Sequence, residues 1–364
     1  MSARVVHLVE DMRTGGLERV IAALAAGADK NKFSVEVWCL SRGGEVADSI
    51  AAQGVPVKVL GMPSRFALGF APKLAALLKA HKADIAHCHG YTACTVGRAA
   101  ALLARTPVII AHQHSIYNEY SLRQMLTERF LGRLSDRIIC CSQAVQEFVV
   151  EREKIPGRLA TVVYNGTAPL NPAPKAQARR ALGLSENEFV VGVIASFVEN
   201  KGHAHIIKAL AKAGNARLVL VGQGPLKEAL EKLASEQGVR ERVLFAGRLA
   251  NVFDVLDAFD VLALPSIYRE GLSLGLVEGL SMGKPLLASN LQGMKEVVRC
   301  CENGMLVPPG DEEALARALE KLGGDPALRA EMGKKSLELY RERFTLRQML
   351  DNIEKIYDEC LANP

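Results

Sequence analysis

No apolar run in this 364-residue chain approaches the roughly 18 residues that a bilayer-spanning helix needs. Residues 5–9 already form a strand-like run, so no signal-peptide layout is expected at the N-terminus. Aromatic residues make up only 5% of the chain, with one tryptophan, which argues against base-stacking platforms. Eight cysteines are present, but no Cys-x-x-Cys pair, and the adjacent pairs Cys140–Cys141 and Cys300–Cys301 do not make a regular disulfide or zinc framework. These absences predict a reduced, cytoplasmic, globular protein that does not bind nucleic acid. There is no Asp-x-Asp at a strand end, which argues against the sugar transferases that chelate their donor through a metal. No His-Glu-x-x-His and no Gly-Lys-Ser/Thr loop occurs either.

What is present fits a two-domain enzyme. Apolar residues are 49% and charged residues 23%, ordinary for a globular chain, and 364 residues exceed the usual size of one core. Charge is uneven. Residues 1–170 hold 20 Lys/Arg against 14 Asp/Glu, and residues 171–364 hold 25 against 26. A basic first half suggests an anionic partner.

Strand-like runs recur at 5–9, 35–40, 55–60, 84–88, 107–112, 137–141 and 161–164, then at 190–196, 217–222, 243–247, 260–265, 285–289 and 305–308. Helical periodicity lies between many of them, as at Leu17, Val20, Ile21, Leu24, Ala25 and Ala28. Strands alternating with helices predict two parallel, doubly wound α/β domains. The proline-rich stretch 169–174 is the expected linker. The division is 1–170, 171–345 and a terminal helix over 346–364 that packs back toward the first domain. Such domains present the carboxyl ends of their strands to a shared cleft.

The most informative segment is Glu270-Gly-Leu-Ser-Leu-Gly-Leu-Val-Glu278. Two acids eight residues apart bracket a turn and a helix start, with Glu270 outside the helix and Glu278 about two turns inside. A helix N-terminus between them favours an anion. The plain alternative is two surface glutamates on an amphipathic helix. Gly15 and Gly16 open the first helix and let backbone approach a ligand, or simply make a turn. Lys201-Gly202 follow the first strand of the second domain, where a lysine meets a phosphate as a point charge. Gly222-Gln-Gly224-Pro follows the next strand and leaves room for a flat base, or is a turn. His87, His89, His112 and His114 lie in two His-x-His pairs. Without a Cys or Asp to complete a four-ligand set, no metal site is expected. His112 is expected at the cleft mouth, against a substrate oxygen, and His87 as a structural histidine.

Over nearly its whole length the chain resembles the retaining, nucleotide-sugar-dependent glycosyltransferases of the GT-B fold, family 4. Glu270 and Glu278 carry the family's E-x7-E motif. The glycine pair Gly15–Gly16, Asn165–Gly166, Val221-Gly-Gln-Gly-Pro and Asn303-Gly-Met-Leu-Val-Pro follow in family order. The resemblance implies that Glu270 contacts sugar hydroxyls and Glu278 the ribose. Backbone of Gly271, Leu272, Ser273 and Leu274 would lie near the distal phosphate. It implies that Lys201 neutralises the leaving diphosphate, that His112 sits beside the reacting sugar, and that Arg248 to Val252, including Leu249, line the base. One departure is Ser196, where the family carries an arginine. Arg13 or Arg248 are the candidate replacements. The expected activity is retaining, metal-independent sugar transfer from a nucleoside-diphosphate sugar, a UDP-sugar before a GDP-sugar, with no separate cofactor. The acceptor would be a glycan, a lipid-linked sugar or a small molecule in cell-envelope polysaccharide synthesis. The rivals are a UDP-sugar 2-epimerase on the same fold and a non-catalytic nucleotide-sugar binder. Finally, residues 121–134 read as a helix whose apolar positions are flanked by Arg123, Arg129 and Arg133. That pattern fits either a core-facing helix or peripheral docking on anionic lipid.

Overall fold

A computed structural model describes residues 2–13, 15–63, 68–117, 120–169, 173–249, 252–268 and 270–362. The chain forms two compact units, one of residues 1–166 with 346–364 and the other of residues 167–345.

The first unit holds a seven-stranded sheet. Its strands are β1 (Ala3–Asp11), β2 (Phe33–Arg42), β3 (Val57–Val59), β4 (Ile85–His89), β5 (Val108–Gln113), β6 (Arg137–Cys140) and β7 (Ala160–Val162). The order is β3-β2-β1-β4-β5-β6-β7, and every pairing is parallel. The second unit holds β8 (Val190–Ile194), β9 (Arg217–Val221), β10 (Val243–Gly247), β11 (Val261–Leu264), β12 (Leu286–Ser289) and β13 (Gly304–Val307), in the parallel order β10-β9-β8-β11-β12-β13. A parallel sheet covered on both faces needs strands that are apolar on both sides. Val5, Val6, Leu8 and Val9 in β1 meet this, as do Val190, Val191 and Val193 in β8; all are buried.

Each sheet reverses its strand order beside its first strand, between β1 and β4 and between β8 and β11. Open α/β sheets bind ligands outside the strand ends at such points. In the second unit these ends carry the loops with Lys201 and Glu270.

Helix Leu346–Ala362 packs on the first unit through Met349, Leu350, Ile353, Ile356, Tyr357 and Cys360, all buried. Its Glu354 accepts the Asp29 backbone N–H at 2.9 Å. A side chain at Gly27 would press Leu350 at 2.7 Å, so glycine there lets the helix approach. The stretch 170–172, central to the expected linker, lies outside the described residues.

Candidate functional site

In the second unit the loop after β8 meets the loop after β11. Ile267 donates its backbone N–H to the Asn200 carbonyl at 2.8 Å. Gly202 takes a left-handed φ of 67°, and a Cβ there would strike the Pro265 carbonyl oxygen at 1.9 Å. This close approach brings Lys201 Nζ to 2.5 Å from Glu270 Oε1, and Ser266 Oγ donates to the same oxygen at 2.8 Å. Glu270 is 7% exposed. A carboxylate this buried is costly unless paired, and the lysine and hydroxyl supply the pairing.

Ser273 caps the helix Leu274–Ser281, its Oγ accepting the Leu276 N–H at 3.3 Å. Glu278 is the fifth helical residue and is 2% exposed. The helix therefore starts later than expected, and Glu278 lies about one turn inside it rather than two. Residues 271–275 also spell Gly-x-Ser-x-Gly, the letters of a hydrolase nucleophile elbow. Among the described residues no imidazole bonds Ser273, and its oxygen serves the cap. Gly293 holds the Glu270 backbone in place: a Cβ there would lie 1.9 Å from the Gly271 carbonyl oxygen. Ser266 and Gly293 were invisible as site residues in the sequence, and Gly202 was marked only as the neighbour of Lys201, because their roles depend on loops distant along the chain.

Other expected donor residues have local explanations. Gly222 and Gly224 pack on the β8 loop, where a Cβ would meet the Ala195 carbonyl oxygen at 2.0 Å and the Phe197 carbonyl oxygen at 2.5 Å. Ser196 and Arg248 are exposed, and Leu249 and Val252 are half-buried. Residues 250, 251 and 269 lie outside the described residues, as does Thr14 in the glycine loop. His203, beside Lys201 in sequence, is 2% exposed, and burial lowers its pKa to about 4, with Lys201 adding to the effect.

Gly15 and Gly16 belong to the first unit. Gly15 caps the helix Gly16–Gly27 in extended backbone, and the Glu18 carboxylate folds over it, 2.2 Å from where a Cβ would stand. Burial raises the pKa of that carboxyl. Arg13 pairs with Asp11 at 2.8 Å, its side chain 58% exposed.

The histidines assemble unexpectedly. Register sets His7 of β1 against His87 of β4, and His89 against His112 of β5. Alternation along a strand keeps residues two apart on one face, so His87 and His89 align with His112 and His114. Neighbouring rings lie with centroids 4.0–5.5 Å apart, five pairs stacked and two, His7–His87 and His89–His112, tilted. His7 Nδ1 lies 2.7 Å from His89 Nε2, His89 Nδ1 lies 3.2 Å from His114 Nε2, and His87 Nδ1 lies 2.6 Å from the Tyr357 hydroxyl. His112 is 0% exposed, so the structure seals it inside this cluster rather than leaving it at a mouth. Burial lowers the pKa of all five, to about 3 for His7 and His114. They are neutral imidazoles at neutral pH.

The helix Leu122–Arg133 begins at a Ser121/Gln124 capping box. It buries Glu128, Leu131 and Gly132 and turns Leu122 (76% exposed), Leu126 and Phe130 (65%) to the surface, followed by Leu134. A groove of about 700 Å³ runs beside them, lined by Thr95, Ala99, Leu126 and Phe130 among others. Arg123, Arg129 and Arg133 are exposed on the same helix. The core-facing alternative is thereby excluded for these apolar residues.

Comparison with known proteins agrees with this architecture. Residues 14–169 match Glycosyltransferase Family 4, and residues 174–338 match Glycosyl transferases group 1. The UDP-Gal:alpha-D-GlcNAc-diphosphoundecaprenol alpha-1,3-galactosyltransferase of Escherichia coli is 24% identical over 99% of this chain and 98% of its own. The lipopolysaccharide core biosynthesis glycosyltransferase LpsD of Rhizobium meliloti is 36% identical, over 52% of this chain, and the match spans about half (55%) of that relative's length. Among solved structures, Anabaena Alr3699/HepE in complex with UDP and glucose superposes with a TM-score of 0.89 at 23% identity, covering 98% of this chain and all of that one. With both halves of the chain matched in order and the two parallel sheets in place, the protein belongs to glycosyltransferase family 4 and is a glycosyltransferase of the GT-B fold.

Proposed function

We propose that this glycosyltransferase retains configuration at the anomeric carbon, uses a UDP-sugar, and extends a glycan or lipid-linked acceptor in cell-envelope polysaccharide synthesis. The observation that carries it is the Lys201–Glu270–Ser266 cluster beside the Ser273-capped helix, with Glu278 buried one turn further on. The relatives support the choice of donor and acceptor: one is named for UDP-Gal and a diphosphoundecaprenol-linked sugar, and one structural neighbour is described with UDP and glucose.

In this reading Glu270 orients sugar hydroxyls and Glu278 holds the ribose. The helix N-terminus and Lys201 meet the diphosphate, whose negative charge grows as the bond from the anomeric carbon to phosphate oxygen breaks. The acceptor oxygen bonds that carbon from the same face, and its proton passes to the departing phosphate oxygen. No carboxylate nucleophile and no divalent metal takes part. Incubation with labelled UDP- and GDP-sugars, with and without EDTA, tests the scheme. Transfer or slow hydrolysis from a UDP-sugar that survives chelation is expected. Formation of an epimer, binding without turnover, or activity lost to EDTA and restored by magnesium would overturn it.

Glu278→Ala should weaken free UDP by about 1.5–3 kcal/mol, the usual cost of losing a charge-assisted hydrogen bond. Calorimetry measures it, and unchanged affinity would remove Glu278 from the ribose site.

The exposed apolar stripe on the helix Leu122–Arg133, beside three exposed arginines, is proposed to dock the enzyme on anionic lipid where a lipid-linked acceptor resides. Basic residues contribute roughly 1 kcal/mol each near such a surface, and salt screens them. The protein should co-sediment with phosphatidylglycerol vesicles at low salt and detach at high salt. Leu126→Ser with Phe130→Ser should abolish pelleting without changing donor hydrolysis. Equal pelleting with neutral vesicles would reject the docking.

A further inference from the structure

Five of the chain's eight histidines meet on one face of the first sheet, at the point where its strand order reverses. Among the described residues, four of their ring nitrogens are buried without a hydrogen-bond partner: His87 Nε2, both nitrogens of His112, and His114 Nδ1. Leaving a buried polar atom unsatisfied costs about 1–3 kcal/mol. A neutral imidazole carries one N–H and one lone pair, so of these four the one that an ion among His89, His112 and His114 would satisfy is the His112 lone pair.

We propose that His89, His112 and His114 form a binding site for a divalent transition-metal ion of the zinc class. One ring nitrogen from each can be chosen so that all three lie within 4.8 Å of one another. His89 Nδ1 and His114 Nε2 are already 3.2 Å apart. Tetrahedral zinc with bonds of about 2.0–2.1 Å sets its nitrogens about 3.3 Å apart. The closed pair already has that spacing; its rings, now stacked at 28°, must turn so that both lone pairs aim at one point, and the wider pairs must contract by up to about 1.5 Å.

A second trio, His7, His87 and His89, also lies within 4.8 Å. Its nitrogens are more fully engaged, with His7 Nδ1 on His89 Nε2 and His87 Nδ1 on Tyr357. All three are buried, whereas His114 is partly exposed and gives an ion a way in. The engaged histidines suit a supporting role. A ligating imidazole usually gives its other ring N–H to a partner that fixes its tautomer, and His89 has that partner in His7 Nδ1 at 2.7 Å. Three neutral nitrogens and no carboxylate select zinc, nickel, cobalt or copper over magnesium and calcium. Water completes the fourth position from the side of His114. The transfer scheme above uses no such ion, so the two readings fail independently.

The test is a titration of the tag-free full chain with Co²⁺ and Zn²⁺. One equivalent of Co²⁺ should give the strong visible bands of four-coordinate cobalt, and Zn²⁺ should displace it. His114→Ala should weaken binding by about 100-fold or more, and His7→Phe by about 10–100-fold. His205→Ala, outside the cluster, should change nothing. Because a cluster variant can lose its fold, the wild-type chain labelled with ¹⁵N-histidine gives a second readout. The rings of three of the eight histidines should shift on adding Zn²⁺. Absence of the cobalt bands, affinity unchanged in folded His114→Ala, or ring shifts confined to histidines outside the cluster would overturn the proposal.

Discussion

Lys201→Ala should lower kcat by about 100–1000-fold, the range seen when one preorganised charge partner of a transition state is removed. Donor KM should rise far less, because the interaction strengthens as the diphosphate departs. The geometry offers a rival explanation that the experiment has to separate. Lys201 Nζ is also the counterion of the buried Glu270 carboxylate. If that were its whole role, the defect would come from a carboxylate left with only the Ser266 hydroxyl, and removing the charge would cure it. The double variant Lys201→Ala with Glu270→Gln therefore decides. A leaving-group role leaves the double variant at least as slow as Lys201→Ala, and a structural role restores part of kcat. Steady-state kinetics with the accepted UDP-sugar reads both. A single variant with normal kcat would remove Lys201 from the mechanism.

The sheets were legible because their signal is local. Each apolar run in the sequence became one of the thirteen strands among the described residues; the central strands are buried on both faces and so apolar along their length, while the edge strand Val57–Val59 is largely exposed. The resemblance marked Glu270 and Lys201 separately, but not their pairing: the two residues are 69 apart, and Gly202 and Gly293 create the approach by lacking side chains against backbone carbonyls. His7 gave no signal at all. Nothing near it in sequence marks it, and strand register alone sets it beside His87. The helix Leu122–Arg133 shows a different limit. A 3.6-residue period says that apolar residues share a face, but not whether that face meets the core or water. Here the buried face is set by Glu128, whose partner Arg98 comes from the helix Gly90–Ala104, with Leu131 beside it, and Leu122, Leu126 and Phe130 are turned outward as a consequence.

That partnership carries the largest stability effect expected in the first unit. Arg98 and Glu128 are both fully buried, and their side chains form an ion pair. Arg98 Nε also donates to the Cys94 carbonyl, while Glu128 accepts weakly from the Thr95 hydroxyl and the Gln113 amide, each at 3.3 Å. Taking one partner from a buried pair leaves an uncompensated charge and costs about 3–5 kcal/mol, whereas replacing both by apolar residues of similar volume is often neutral or better. Arg98→Met should therefore destabilise the unit by that amount, and Arg98→Met with Glu128→Leu should recover most of it. Glu153 lies in the same electrostatic neighbourhood. Burial and the Glu128 charge push its pKa up to about 8, while Arg98 pulls it down. Loss of Arg98 raises it further, so the Glu153 carboxyl stays protonated and adds no second buried charge at neutral pH. Urea unfolding of the single and double variants at one pH measures the coupling directly. If the double variant is as unstable as Arg98→Met, the cost arises from repacking the two helices rather than from the orphaned carboxylate.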